Sequence, residues 1–120
     1  MLHHVSLEVR PADADAEAGF WVRLGFVEIP PHASLVGRAR WLQADDGSGQ
    51  QIHLLLTAEP AIPAGGHVAI VRPQYARTLD AARAAGLDVR DHTPYWDSPR
   101  AFVRSPAGHR VEVMEFAPRG

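Results

Sequence analysis

The most constraining feature of this 120-residue chain is that it reads as one pattern written twice. Leu2 to Val9 alternates, with Val5, Leu7 and Val9 on one side and His4, Ser6 and Glu8 on the other, as in a half-buried strand. Pro11 with Asp13 or Asp15 then opens a helix through Ala16, Ala18, Phe20, Trp21 and Leu24, and Gly25 suits the left-handed position that ends it. Phe26–Ile29, Arg38–Ala44 and Gln51–Thr57 read as three further strands, the first stopped by Pro30-Pro31 and the last two joined by Asp45-Asp46-Gly47-Ser48-Gly49. After a Pro-, Gly- and Ala-rich stretch the order returns. Gly66–Arg72 is a strand, Pro73–Ala85 a helix ended by Gly86, Leu87–Asp91 a short strand, and 92–99 a loop. Arg100–Arg104 and Arg110–Phe116 are strands around the turn Ser105-Pro106-Ala107-Gly108. Gly25/Gly86, Trp41/Phe102, Gly49/Gly108 and His4/His67 recur at intervals of 59 to 63 residues.

The duplication implies an α+β fold of two tandem βαβββ modules that form a curved mixed sheet around a cleft, with one helix outside each module. The hairpin-type turns in the β-β-β tail of each half argue against βαβ units in a parallel sheet. We place module one at about 1–58, a linker at about 59–65 and module two at about 66–117, all within one domain of 1–120. Each module alone is marginal in size, which favours a homodimer over a monomer.

Composition removes several function classes. Net charge is −2 with His neutral, where a nucleic-acid or anionic-membrane binder would carry a basic excess. All twelve basic residues are Arg, so Schiff-base lysine chemistry is excluded. There is no Cys, hence no disulfide, thiol nucleophile or thiolate metal site. No apolar run is long enough for a membrane span, and the start of the chain has neither a basic nor an apolar leader region, so the expected compartment is the cytoplasm. Seven His then stand out, because any metal would have to be held by imidazole and carboxylate.

Aligning the last strand of each half on its preceding Gly superposes His53 on Glu112, and the first strands superpose His4 on His67. Each of the four lies opposite an aliphatic run: His4 opposite Val5, Leu7 and Val9; His53 opposite Ile52, Leu54 and Leu56; His67 opposite Val68 and Ile70; Glu112 opposite Val111 and Val113. Since the aliphatic faces must pack under the helices, the four ligand-type side chains share the other face. Three imidazoles and a carboxylate suit a first-row divalent ion, Zn, Ni, Co, Mn or Fe(II). His3 has the parity of Val5 and is set aside, and His32, His92 and His109 fall in loops or turns. Tyr95-Trp96, in a loop, is placed to cap a ligand. Arg38 with Arg40, or Arg100 with Arg104, could take a substrate carboxylate or phosphate, while Trp41 and Phe102 could line the cavity.

Leu2-His3-His4-Val5-Ser6-Leu7-Glu8-Val9, Phe20-Trp21-Val22-Arg23-Leu24-Gly25-Phe26, Gly66-His67-Val68-Ala69-Ile70 and Ser105-Pro106-Ala107-Gly108-His109-Arg110-Val111-Glu112 together resemble the vicinal-oxygen-chelate superfamily, the glyoxalase, bleomycin-resistance and extradiol-dioxygenase group. The resemblance runs over essentially the whole chain. It implies metal ligands at His4, His53, His67 and Glu112, with paired modules contributed by one chain or exchanged between two. At His53 it leads to the expectation of Glu or Gln, so this chain departs there. It further implies a metal-dependent isomerase or lyase acting on a small oxygen-rich molecule, with Glu112 as the base. The alternatives are an Fe(II) ring-cleaving dioxygenase using His4, His67 and Glu112, or an antibiotic-binding resistance protein without chemistry.

Overall fold

The computed structural model describes residues 1–118. The chain divides into two compact units, Met1–Ile62 and the residues from Pro63 onward, each with its own four-stranded mixed sheet and its own α-helix.

In the first unit, β1 (His4–Val9) leads through a single 3-10 turn at Pro11–Asp13 into α1 (Ala14–Arg23). Asp15 and Glu17 in the first turn and Arg23 in the last complement the helix dipole. Gly25, at φ 98°, turns the chain into β2 (Phe26–Ile29), after which come β3 (Ala39–Ala44) and β4 (Gln51–Leu56). The strand order is β1-β4-β3-β2, with β1 parallel to β4 and the other pairs antiparallel. The helix therefore carries the chain from one sheet edge to the other. Its buried stripe of Ala14, Ala18, Phe20 and Trp21 covers one face of the sheet, where Val9, Leu42, Ile52 and Leu54 are fully or nearly fully buried. Arg40 belongs to that same face and is held by Glu28 at 2.8 Å and by Asp15, tying β3 to β2 and to the first turn of α1. Arg40, a candidate substrate contact by sequence, is thus engaged within the first unit.

The second unit repeats the plan: β5 (Val68–Val71), α2 (Tyr75–Ala84), β6 (Val89–His92), β7 (Arg100–Arg104) and β8 (Arg110–Met114), in the order β5-β8-β7-β6 with β5 parallel to β8. Thr78, Leu79 and Ala82 are the buried positions of α2, and Ala101, Val103, Val111 and Val113 form the aliphatic face of the sheet. Gly86 ends the helix at φ 78°.

Element for element this is the βαβββ duplication. The strands begin later than the alternation suggests, at His4 and Val68, and β6 runs one residue further, to His92. Just ahead of β1, Gln51 N donates to His3 O. A short 3-10 turn at Ala33–Leu35, fastened by Ser34 N donating to His32 Nδ1, was not foreseen. Among the described residues no helix is long and apolar enough to cross a membrane.

Candidate functional site

Register makes the repeat exact at the chemically interesting positions. In the first unit Trp41 faces His53, and His53 faces Ser6, two residues beyond His4. In the second, Phe102 faces Glu112, and Glu112 faces Ala69, two residues beyond His67. Directly paired residues on neighbouring strands project from the same face. Each unit thus carries two ligand-type side chains and one aromatic ring on the face away from its helix.

The first unit arranges them as a stack. The His53 ring lies between His4 (centroids 4.0 Å, 12° between planes) and Trp41 (4.2 Å, 5°). Below the stack runs an amide chain: Gln51 Nε2 donates to Gln43 Oε1 at 3.1 Å, which leaves Gln51 Oε1 to accept from His53 Nε2 at 2.7 Å. That assigns the proton to Nε2 and leaves Nδ1 as the bare nitrogen. Burial of the ring, together with the nearby His4 and His3, holds the His53 imidazole below its usual pKa, so it favours the neutral, coordinating form. The Trp41 indole N–H is buried without an acceptor among the described residues. His3 belongs to this group as well, with its Nδ1 2.9 Å from that of His4 and its ring 6.4 Å from His53. Parity misplaced it because β1 begins at His4, and a residue outside the strand does not obey the pleat.

The second unit arranges them as an ionic cluster. His67 Nδ1 donates to Gly65 O at 2.9 Å, and its Nε2 lies 3.1 Å from Glu112 Oε1. The other oxygen, Oε2, accepts from Arg100 Nη1 at 3.2 Å. Arg100 also donates through Nε to Thr93 O and lies 4.1 Å over the Tyr95 ring. Arg100 is therefore a partner of Glu112, not a free guanidinium, and the 93–99 loop reaches the site through Tyr95. Trp96 packs edge-on against Tyr95 and is half exposed. Phe102 lies at the centre of the face, with His67 and His92 edge-on to it at 4.9 and 4.7 Å and Arg110 over it at 3.8 Å. Arg104 is exposed and donates to Gly108 O across its own turn.

An imidazole whose Nδ1–H is fixed by a backbone carbonyl presents Nε2 as the coordinating atom, which is the usual outer-shell arrangement of a ligating His. With a carboxylate oxygen beside that nitrogen, His67 and Glu112 fit half of a divalent-ion site. His4 and His53 as stacked do not converge, because nearly parallel rings hold their in-plane lone pairs in separate, nearly parallel planes. Among the described residues no group of three or more His, Cys, Asp or Glu side chains is gathered tightly enough to hold a metal.

The fold carries the comparison with known proteins. No protein-family model matches the sequence, and no curated protein matches it significantly. Solved structures do. A Bacillus anthracis protein described as of the glyoxalase family superposes with a TM-score of 0.80 at 23% identity, over 95% of this chain and 93% of that one. The fosfomycin resistance protein FosX from Listeria monocytogenes gives 0.76 at 16% identity, over 98% and 91%. The bleomycin resistance determinant encoded on transposon Tn5 gives 0.64 at 16%, over 92% and 95%. At these identities the likeness is one of fold alone, a fold that glyoxalase-family, fosfomycin-resistance and bleomycin-resistance proteins share. A further structure of the Listeria protein is a complex with Mn(II) and 1S,2S-dihydroxypropylphosphonic acid.

Sequence reasoning missed Arg90, His92 and Arg110 on this face. Lone arginines on strands read as solvated, and His92 read as the first residue of a loop. The signal available was parity within the strands: Arg90 and His92 alternate with Val89, and Arg110 shares the phase of Glu112.

Proposed function

We propose that this chain is a metal-dependent enzyme of the glyoxalase kind, an isomerase or lyase acting on a small substrate that offers adjacent oxygens to a divalent ion. The observation that carries this reading is the His67–Glu112 pair, with Nδ1 anchored on Gly65 O and Nε2 beside the carboxylate. His67 and Glu112 would hold the ion, and His4 and His53 are the first-unit residues we propose as its further ligands. Mn(II) in the FosX complex supports a divalent ion in proteins of this fold. When bound, the ion supplies Lewis-acid polarisation of the substrate oxygens.

The chain's own residues do the rest. Arg100 anchors the Glu112 carboxylate through Oε2, and Glu112 is the carboxylate that would take a proton from substrate. Phe102, edge-on to His67, would give the second-unit site an apolar wall. The paired modules belong to one chain or are exchanged in a homodimer, and the substrate is a small molecule.

The test is metal titration of untagged, metal-stripped protein by calorimetry, with bound metal counted by elemental analysis. About one equivalent per site is expected, with at least tenfold weaker binding in His67→Ala and Glu112→Gln. Retention of well under half an equivalent by the wild-type protein would refute the reading.

A second reading has its own observation. The parallel His4–His53–Trp41 stack presents ring faces, to which a flat aromatic group could add, more than converging lone pairs, and the bleomycin resistance determinant shares the fold. A resistance protein that sequesters a drug would bind it tightly after metal removal and in Glu112→Gln, which the enzyme would not.

A further inference from the structure

On the open face of the second sheet, Asp88, Arg90, His92, Phe102, Val103, Arg104 and Arg110 line a cavity of about 380 Å³. Four of the seven are cationic or can become so. Asp88 is the only acid among them, and it is already engaged by Arg90 Nε at 3.2 Å. Arg104 spends one nitrogen on Gly108 O, and Arg110 makes no hydrogen bond or ion pair with the described residues, resting only on the Phe102 ring.

The register shows that this arrangement costs the sheet something. Arg104 and Arg110 are directly opposed on β7 and β8, and like charges in that position repel. The duplication supplies an internal control. The equivalent opposed pair in the first unit is Gln43 and Gln51, which are hydrogen-bonded to each other, and the position of Arg90 is held there by Ile29. The βαβββ architecture therefore has no need of arginine at these positions. A pair that the fold can satisfy with two neutral amides is kept here as two guanidiniums facing a concavity.

We infer that this cavity is an oxyanion-binding site: Arg110, with Arg104 and Arg90, takes a phosphate, phosphonate or carboxylate group over a floor of Phe102, and His92 closes the β6 side. Planar guanidiniums bind such groups through paired, charge-assisted hydrogen bonds, and an anion between Arg104 and Arg110 converts their repulsion into attraction. Because Phe102 also faces Glu112 directly across β7 and β8, an anion held here lies on the same face as His67 and Glu112. Its assignment as the charged end of the substrate rests on the metal-enzyme reading; the anion site itself does not.

The experiment uses metal-stripped, full-length protein, so that failure of metal binding and failure of this site are read separately. Inorganic phosphate, phenylphosphonate and benzoate are titrated at constant ionic strength while backbone amide and arginine Nε signals are followed by NMR. Saturable shifts are expected at Arg90, Phe102, Arg104 and Arg110. Affinity should fall roughly tenfold in Arg110→Gln, the loss of one charge-assisted contact, and stay unchanged in Arg77→Gln, which removes an equal charge from the exposed face of α2. Tighter binding of an organic anion than of phosphate assigns the site to a substrate headgroup, and the reverse order assigns it to the free ion. Equal losses in Arg110→Gln and Arg77→Gln, or shifts that follow ionic strength and never saturate, would overturn the inference.

Discussion

Arg100→Met isolates the contact on which the second-unit site depends. The Arg100–Glu112 pair joins side chains only 8% and 11% exposed, across 3.2 Å. Removing one partner of a buried pair generally costs about 3–5 kcal/mol, because the other charge stays desolvated. Here the contact is a single hydrogen bond and Glu112 keeps His67, which points to the lower end, about 3 kcal/mol. Methionine fills a similar volume but also gives up the bond to Thr93 O and the contact with Tyr95. Those two losses persist whatever occupies position 112, so a double-mutant cycle separates them from the ion pair. Urea unfolding of wild type, Arg100→Met, Glu112→Gln and the double variant, followed by fluorescence and circular dichroism, should give a coupling energy of about 2 kcal/mol. The double variant should be little worse than Arg100→Met alone. A coupling below about 0.5 kcal/mol would mean that Arg100 does not hold Glu112, and the anchoring of the proposed base would fall with it.

Other consequences are more local. Leu54→Ala, at a fully buried position of β4, should destabilise the first unit by about 3 kcal/mol in urea. Gly86→Ala should cost about 1 kcal/mol through backbone strain alone, since φ is +78° and an added methyl meets nothing within 4 Å. Hydrogen bonds from Arg40 hold the Glu28 carboxyl below its ordinary value of 4.5. The stability this pair contributes is therefore fully present above pH 4.5 and is lost as pH falls through the lower, folded-state value. With Glu28 40% exposed the contribution is well under about 1 kcal/mol, and Arg40→Gln should flatten the acid limb of stability against pH by that amount.

Much of this arrangement is legible in the sequence, and the reason is period. A strand that buries one face must alternate, so His4, His53, His67 and Glu112 could be assigned to the non-aliphatic faces before any contact was known. Duplication then paired them, and the observed registers Trp41–His53 and Phe102–Glu112 repeat that pairing. What alternation does not encode is rotamer and partner. It gives no hint that His4, His53 and Trp41 lie flat against one another, or that Arg100, which parity offers equally to a substrate and to solvent, reaches diagonally from its position opposite Met114 to Glu112. Nor does it govern residues beyond a strand end, which is why His3 was lost from the first cluster; His92 was lost from the second cavity because β6 runs one residue further than its sequence suggests.

The two copies of the module also show how far the pair Arg104 and Arg110 departs from what folding requires. Replacing both by Gln rebuilds on β7 and β8 the amide pair that Gln43 and Gln51 form on β3 and β4. The change removes a like-charge pair and adds a neutral cross-strand hydrogen bond, each worth roughly 0.2–1 kcal/mol. Against this it forfeits the Arg104 bond to Gly108 O, about 1 kcal/mol, and the exposed contact of Arg110 with Phe102, roughly 0.5–1 kcal/mol. The terms nearly cancel, so Arg104→Gln with Arg110→Gln should move unfolding stability by less than about 1 kcal/mol. Anion affinity should meanwhile fall by more than the roughly tenfold loss of Arg110→Gln alone. Stability and binding would then separate at a single pair of residues, as they do where a fold carries a local conflict for the sake of a ligand. If the double variant instead loses 2 kcal/mol or more, on the order of a buried structural contact, the two guanidiniums hold the hairpin together and their meeting over the cavity needs no ligand to explain it.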